Sequence, residues 1–379
     1  MPVMPSDRFA PCAYTRRRLL RSSAAGLAAL ALNAQTSSKT DASRLAMPGL
    51  YRGKVVAVHH PASIAGGRFG AEPIRQMINA GMTRLTGAPD ATAAWKQFVE
   101  PGDVVGIKVN PVGAPHVMSS PEVLREIIAG LESAGVKPRD IVVYDRYRRQ
   151  FLNAGFDKWL PEKVRWSFAT EDYDNIQHSI DGYDPDHYLD MALTHPGFDS
   201  SNLTARRSYA ARFITREVNK LINLPLLKDH QSAGVTLALK NLSHGLVNNV
   251  SRSHSSKTLN ACGSFIPAVV SMPVIRNKAI LHVMDGIKAL YHGGPGARPE
   301  FVWEHKTMYF ATDPVALDHI GWEEIDKKRA AAGMPAIALD RPDKFSTFLS
   351  RQPEHVEIAG ALGLGEWDRE KIRLDPVSL

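Results

Sequence analysis

Apolar positions along this chain come in short unbroken runs and longer helix-period stripes, and their alternation predicts the fold. Lys54–His60 (KVVAVHH) reads as a first strand, with a helical stripe following over roughly Pro73–Leu85. Asp103–Val109 (DVVGIKV) is a continuous apolar run of the kind buried on both faces of a parallel sheet. Ser119 or Ser120 then caps a helix opened by Pro121, which carries Val123, Leu124, Ile127, Ile128 and Leu131. Ile141–Tyr144 is the next strand, and strand, helix, strand at this spacing is a βαβ unit with a right-handed crossover. Leu221–Leu227, Ala279–Met284 and Met308–Ala311 read as further strands. Pro225 places the first of these at a sheet edge or a strand end. Phe265–Val274, the residues after Pro314 and the end of the chain read as helices. The expected class is α/β: a mostly parallel sheet flanked by helices, built from βαβ units, with an irregular insertion around 150–212.

That insertion is rich in Asp, Tyr and His and poor in long apolar runs, which suits a lid or subdomain. Its aspartates at 181–186 lack the glycine and distal glutamate of an EF-hand loop. The predicted organisation is a signal at 1–34, a tether at 35–50, an α/β domain at 51–345 and a helical extension at 346–379.

Charge alters the picture less than its total suggests. The formal net charge is +7, but residues 1–34 hold five arginines against Asp7, so only +3 belongs to the rest. A nucleic-acid partner loses its main support. Thr15-Arg16-Arg17-Arg18-Leu19-Leu20 before the small apolar run Ser22–Leu32 has the layout of a signal peptide of twin-arginine type, with a cleavage edge near Ala34. That run is too short for a permanent membrane span. The expected location is periplasmic or secreted, and the expected partner is the twin-arginine export machinery. Once the signal is cleaved, Cys262 is left as the sole cysteine, which excludes an intrachain disulfide and any Cys-ligated iron–sulfur cluster. Between Ala261 and Gly263, it reads as a small packing residue.

Uncommon chemistry concentrates in Leu221–Val250, LINLPLLKDHQSAGVTLALKNLSHGLVNNV. Lys228, His230, Lys240, Asn241 and His244 sit inside otherwise apolar sequence, where each costs desolvation unless it is paired or faces a cleft. Parallel sheets gather ligands at the carboxyl ends of their strands, and Lys108, Asn110, Asp145 and Asp285 all fall at such ends. Gly294 and Gly296 flank Pro295 in a turn where backbone can approach a ligand closely. Asp313 before Pro314 is a good helix N-cap, which by itself accounts for it. No GxGxxG or P-loop spacing is present.

Taken together, the motifs resemble the family known as domain of unknown function 362. They are Lys108-Val109-Asn110-Pro111, Ile222 to His230 (INLPLLKDH), Val235 to Leu242 (VTLALKNL), Asp285-Gly286, Gly294-Pro295 and Thr312 to Asp318 (TDPVALD). The resemblance covers roughly residues 54–330. Many members carry ferredoxin-like cysteine motifs that this chain lacks, so electron transfer through an attached cluster is not implied.

Two functions follow from the residues. One is an exported hydrolase or isomerase acting on an anionic small molecule. There Lys108, Asn110, Asn241 and the glycines would hold the ligand, and Lys228, Lys240, His230 and His244 would do acid–base work. Asp285 and Asp313 would complete a divalent metal site if one is used. The other is a periplasmic protein that grips an anion or metal without turnover.

Overall fold

The structure is a computed structural model and describes residues 44–379. The expected signal peptide and most of the tether lie outside the described residues. Leu45 and Met47 are already buried, and the Met47 amide donates to the Arg276 carbonyl at 3.0 Å.

A ten-stranded mixed sheet forms the centre. Its main strands are β1 (Lys54–His59), β2 (Val105–Lys108), β3 (Ile141–Tyr144), β4 (Arg165–Ser167), β5 (Lys220–Asn223), β6 (Leu226–His230), β7 (Ala279–Leu290), β8 (Val302–Ala311) and β9 (Arg373–Ser378). They run in the order β9-β1-β8-β7-β5-β2-β3-β4, with β6 beside the second half of β7. The two-residue strand Gly234–Val235 pairs with β6. Only β8 and that short strand run antiparallel to their neighbours. The α/β class and the mostly parallel sheet expected from the sequence are therefore observed.

Alternation along each strand divides the core between two layers. Ile107 and Val143 face α1 (Ala71–Thr86) and α2 (Pro121–Ser133), packing with Ile74, Met77, Ile78, Val123 and Ile127. Val142, Tyr144 and Leu221 face the other way, toward α3 (Leu237–Leu246) and α4 (Cys262–Val270), against Leu239, Leu242, Phe265 and Val269. Burial on both faces is why β2 and β3 read as unbroken apolar runs.

The C-terminal segment differs from the helical extension expected. One helix, α6 (Glu354–Ala361), is followed by β9, which pairs in parallel with β1 from Lys54↔Arg373 to His59↔Ser378. β9 is an edge strand, which is why Pro376, with no N–H to donate, is tolerated within it. Ahead of α6, α5 (Pro314–Ala331) follows β8 and packs on α3. Within 150–212, Tyr183–Asp190 and Arg207–Ala211 form a separate antiparallel pair. Arg252 ties it down, donating to the Met191 and Leu193 carbonyls and to Ser208 Oγ.

Candidate functional site

Parallel pairing sets Lys108 level with Tyr144 on one side and Asn223 on the other, so three carboxyl ends meet in one row. A cleft of about 250 Å³ opens there. Lys108, Asn110, Lys228, His230, Lys240, Asn241 and His244, seven of the residues singled out from the sequence, all line it. On β6 the period of two turns Lys228 and His230 toward the cleft and Asp229 away, where its buried carboxylate accepts from Gly294 N and Arg351. On α3 the i,i+4 spacing puts Lys240 and His244 on one face.

α3 is held at both ends by opposite charges. The Asp318 carboxylate accepts from the amides of Ala238 (2.7 Å) and Leu239 (2.9 Å) at its start. Arg146 donates to the carbonyls of His244 and Val247 at its end, in the sense the helix dipole favours. Asp318 thus serves the helix and not the cleft. Lys108 is clasped by Asp145 at 2.6 Å, both almost wholly buried.

The three lysines differ in what surrounds them. Burial outweighs Asp145 and holds Lys108 below the usual lysine range. Burial, with the Lys240 charge beside it, pushes Lys228 down to about 7. Its Nζ nevertheless has three acceptors, Val112 O (2.7 Å), Pro295 O (3.1 Å) and Asn110 Oδ1 (3.4 Å), one for each hydrogen of an ammonium. Lys240 is lowered to about 8 by burial, and its Nζ has no hydrogen-bond partner among the described residues although the residue is only 6 % exposed.

Asn110 and Asn241 belong to an amide chain. Asn110 donates to Asn241, which donates to Asn223, which donates to Ala238 O and His282. Their polar atoms chiefly hold β2, β5 and α3 together.

Three histidines that line the cleft feel the Lys240 charge: His230, His244 and His254. Burial first, then that charge, keeps all three neutral, His254 down at about 3. His230 Nδ1 accepts from the Ser232 amide at 3.1 Å, so in the neutral ring the hydrogen is on Nε2. His244 contacts Ser243 Oγ and Ser253 Oγ through its two nitrogens.

The remaining expected residues have other roles. Gly294 approaches the chain's own backbone, since a Cβ there would meet Asp229 O at 2.2 Å. Gly296 faces open space, and of this turn only Pro295 lines the cleft. Asp285 and Asp313 do not line it either. Asp285 accepts from the amide and hydroxyl of Ser120 and from Ile287 N, fixing the start of α2. Asp313 caps α5 and takes four amides: Gly53, Val315, Ala316 and Glu366. Burial raises both carboxyls to about 6 against those bonds. The pair expected to serve a divalent metal is thus divided between two helix starts and engaged by amides.

His244, His254 and Cys262 bring ligand atoms within 4.8 Å of one another. Ser253 Oγ stands among them, 3.2 Å from His244 Nε2, 2.9 Å from His254 Nδ1 and 3.9 Å from Cys262 Sγ. Ser253 Oγ engages the two ring nitrogens whose lone pairs a cation would have to bind, so the cluster does not fit a metal as it stands.

Sequence reasoning passed over Arg146, Tyr147, Gln150, Tyr173 and Gln177, which also line the cleft, and left His254 as loop. Tyr173 and Gln177 come from the insertion, whose irregular pattern carries no signal of where it folds back.

Comparison with known proteins gives one firm result. The family model described as "Domain of unknown function (DUF362)" matches residues 105–323, more than half of the chain and all of the cleft's lysines and histidines. The chain belongs to DUF362. A search of curated proteins finds no match. Among solved structures, a Thermotoga maritima protein from a structural-genomics programme is similar at 11% identity and a TM-score of 0.35. That alignment covers 74% of this DUF362 chain and 63% of the other, a likeness too distant to carry any argument.

Proposed function

We propose that this DUF362 protein is an exported enzyme of hydrolase or isomerase type that binds a small anion on Lys240 and moves a proton beside it. The observation that carries the reading is the Lys240 ammonium, buried in a cleft with no protein partner. Such a charge is costly unless a ligand supplies the counter-charge. Lys108 is already matched by Asp145 and Lys228 by three carbonyl oxygens, so Lys240 is left for the ligand. Neutral His230 presents an N–H beside it, a donor suited to an oxygen that gains negative charge during reaction. The basic twin-arginine stretch supports export.

Thermal melts with inorganic phosphate test the anion site. Phosphate should raise the melting temperature of the wild type, by linkage to the native state. Lys240→Met should lose the shift, and equal shifts in both proteins would overturn the assignment. Turnover is tested separately by hydrolysis assays and solvent-deuterium uptake across a panel of phosphoesters and hydroxy and keto acids. His230→Gln should abolish reaction while keeping the phosphate shift. A wild type that binds anions but turns over nothing in the panel would make it a binding protein.

A further inference from the structure

We infer that His254 is the proton-accepting base of this cleft and that Ser253 is the residue that positions it. The inference rests on the anion reading above and adds to it the identity of the base.

Hydrogen-bond accounting around Ser253 carries the argument. Its hydroxyl has one hydrogen, and the nearest acceptor is the Val250 carbonyl at 2.7 Å, a group that can only accept. With that hydrogen committed, Ser253 Oγ can only accept from its other neighbours. His244 Nε2 at 3.2 Å and His254 Nδ1 at 2.9 Å must then both carry hydrogens and donate. One further contact agrees. Ser243 Oγ lies 3.0 Å from His244 Nδ1, where it can donate to a bare nitrogen.

A neutral imidazole has one N–H, so His254 Nε2 is left as a bare lone pair. It has no hydrogen-bond partner among the described residues, and His254 lines the cleft. His230 is the opposite case, with Nδ1 filled by the Ser232 amide and Nε2–H turned outward. The two rings stand 5.9 Å apart between centroids, at 73°. One cleft therefore offers a bare acceptor, an N–H donor and an ammonium.

That set suits a small carboxylate bearing a hydroxyl on its α-carbon. Lys240 grips the carboxylate. His254 Nε2 takes the α-hydrogen as a proton, and the C–H electron pair becomes the C=C bond of an enediolate. The charge gained by oxygen is met by Lys240 and by His230 Nε2–H, which remains bonded to its hydrogen. Return of the proton from His254 to the carbon restores the ring. The arrangement also times the base: an anion on Lys240 offsets a positive charge that holds down the proton affinity of His254.

The test reads the tautomers first. In the full-length protein labelled with nitrogen-15 histidine, His254 should show Nδ1–H with bare Nε2, and His244 and His230 should show Nε2–H. A hydrogen on His254 Nε2 would overturn the inference whatever phosphate does in the melts. Ser253→Ala should release His254 into a mixture of tautomers; an unchanged ring would remove Ser253 from the positioning role. If Ser253→Ala fails to fold, Ser253→Thr, which keeps the hydroxyl, should preserve the wild-type tautomers. Acylation by diethyl pyrocarbonate, mapped by mass spectrometry, provides an independent readout, because the reagent attacks a bare ring nitrogen. His254 should react before His230 and His244, and inorganic phosphate should protect it in the wild type but not in Lys240→Met. His230 reacting first would overturn the assignment. Protection surviving Lys240→Met would leave the base in place and move the anion elsewhere.

Discussion

Lys108 shows what single residues reveal and conceal. A lysine ending an apolar run was legible as a strand-end group, since nothing else explains its placement. Its clasp by Asp145 was not, because that depends on β2 lying beside β3 in register. His355 was passed over altogether. It is fully buried on α6 with no partner for either ring nitrogen among the described residues, and burial pushes it down to about 3. Its free value lies near 6.5, so the unfolded chain takes up a proton there well before the native protein does. The stability this group contributes is intact above about 6.5 and drains away as pH falls toward 3. His355→Leu should therefore gain on the wild type by about 2 kcal/mol in going from pH 8 to pH 5. Urea denaturation at the two pH values measures it, and parallel behaviour of the two proteins would refute the assignment.

At the scale of elements, α3 is the part best read from sequence and least explained by it. Its periodicity placed Lys240 and His244 together. The charges at its ends came from Asp318 and Arg146, some 80 and 100 positions away in the chain, which no local pattern can show. Asp318→Asn replaces an oxygen that accepts an α3 amide by a donor, leaving a buried N–H unmatched. A loss of about 1–3 kcal/mol is expected in denaturant melts. Gly245 on the same helix has a comparable hidden reason: a Cβ there would meet Lys108 Cε at 2.1 Å. The glycine lets the lysine pass beneath the helix to reach Asp145. The turn at Gly294 was misjudged in the same way, since a close backbone approach looks alike in sequence whether it serves a ligand or Asp229.

Across the whole molecule, the class of fold was visible in the runs and stripes, whereas the order of strands was not. Order is decided by pairings such as β1 with β9, which join the two ends of the described chain. Both strands also lie outside the stretch that the DUF362 model matches. Deleting residues 373–378 should uncover the outer edge of β1 and its unpaired backbone groups, and such edges recruit other chains. Light scattering on the truncated protein should show association that the full-length protein does not, while unchanged monodispersity would mean that β9 is dispensable. The same pairing governs the order of events during synthesis. β1 leaves the ribosome first among these strands and its parallel partner last, so every other strand of the sheet must be made before that flank can close. Until then the outer edge of β1 keeps its backbone groups unpaired and open to strand addition.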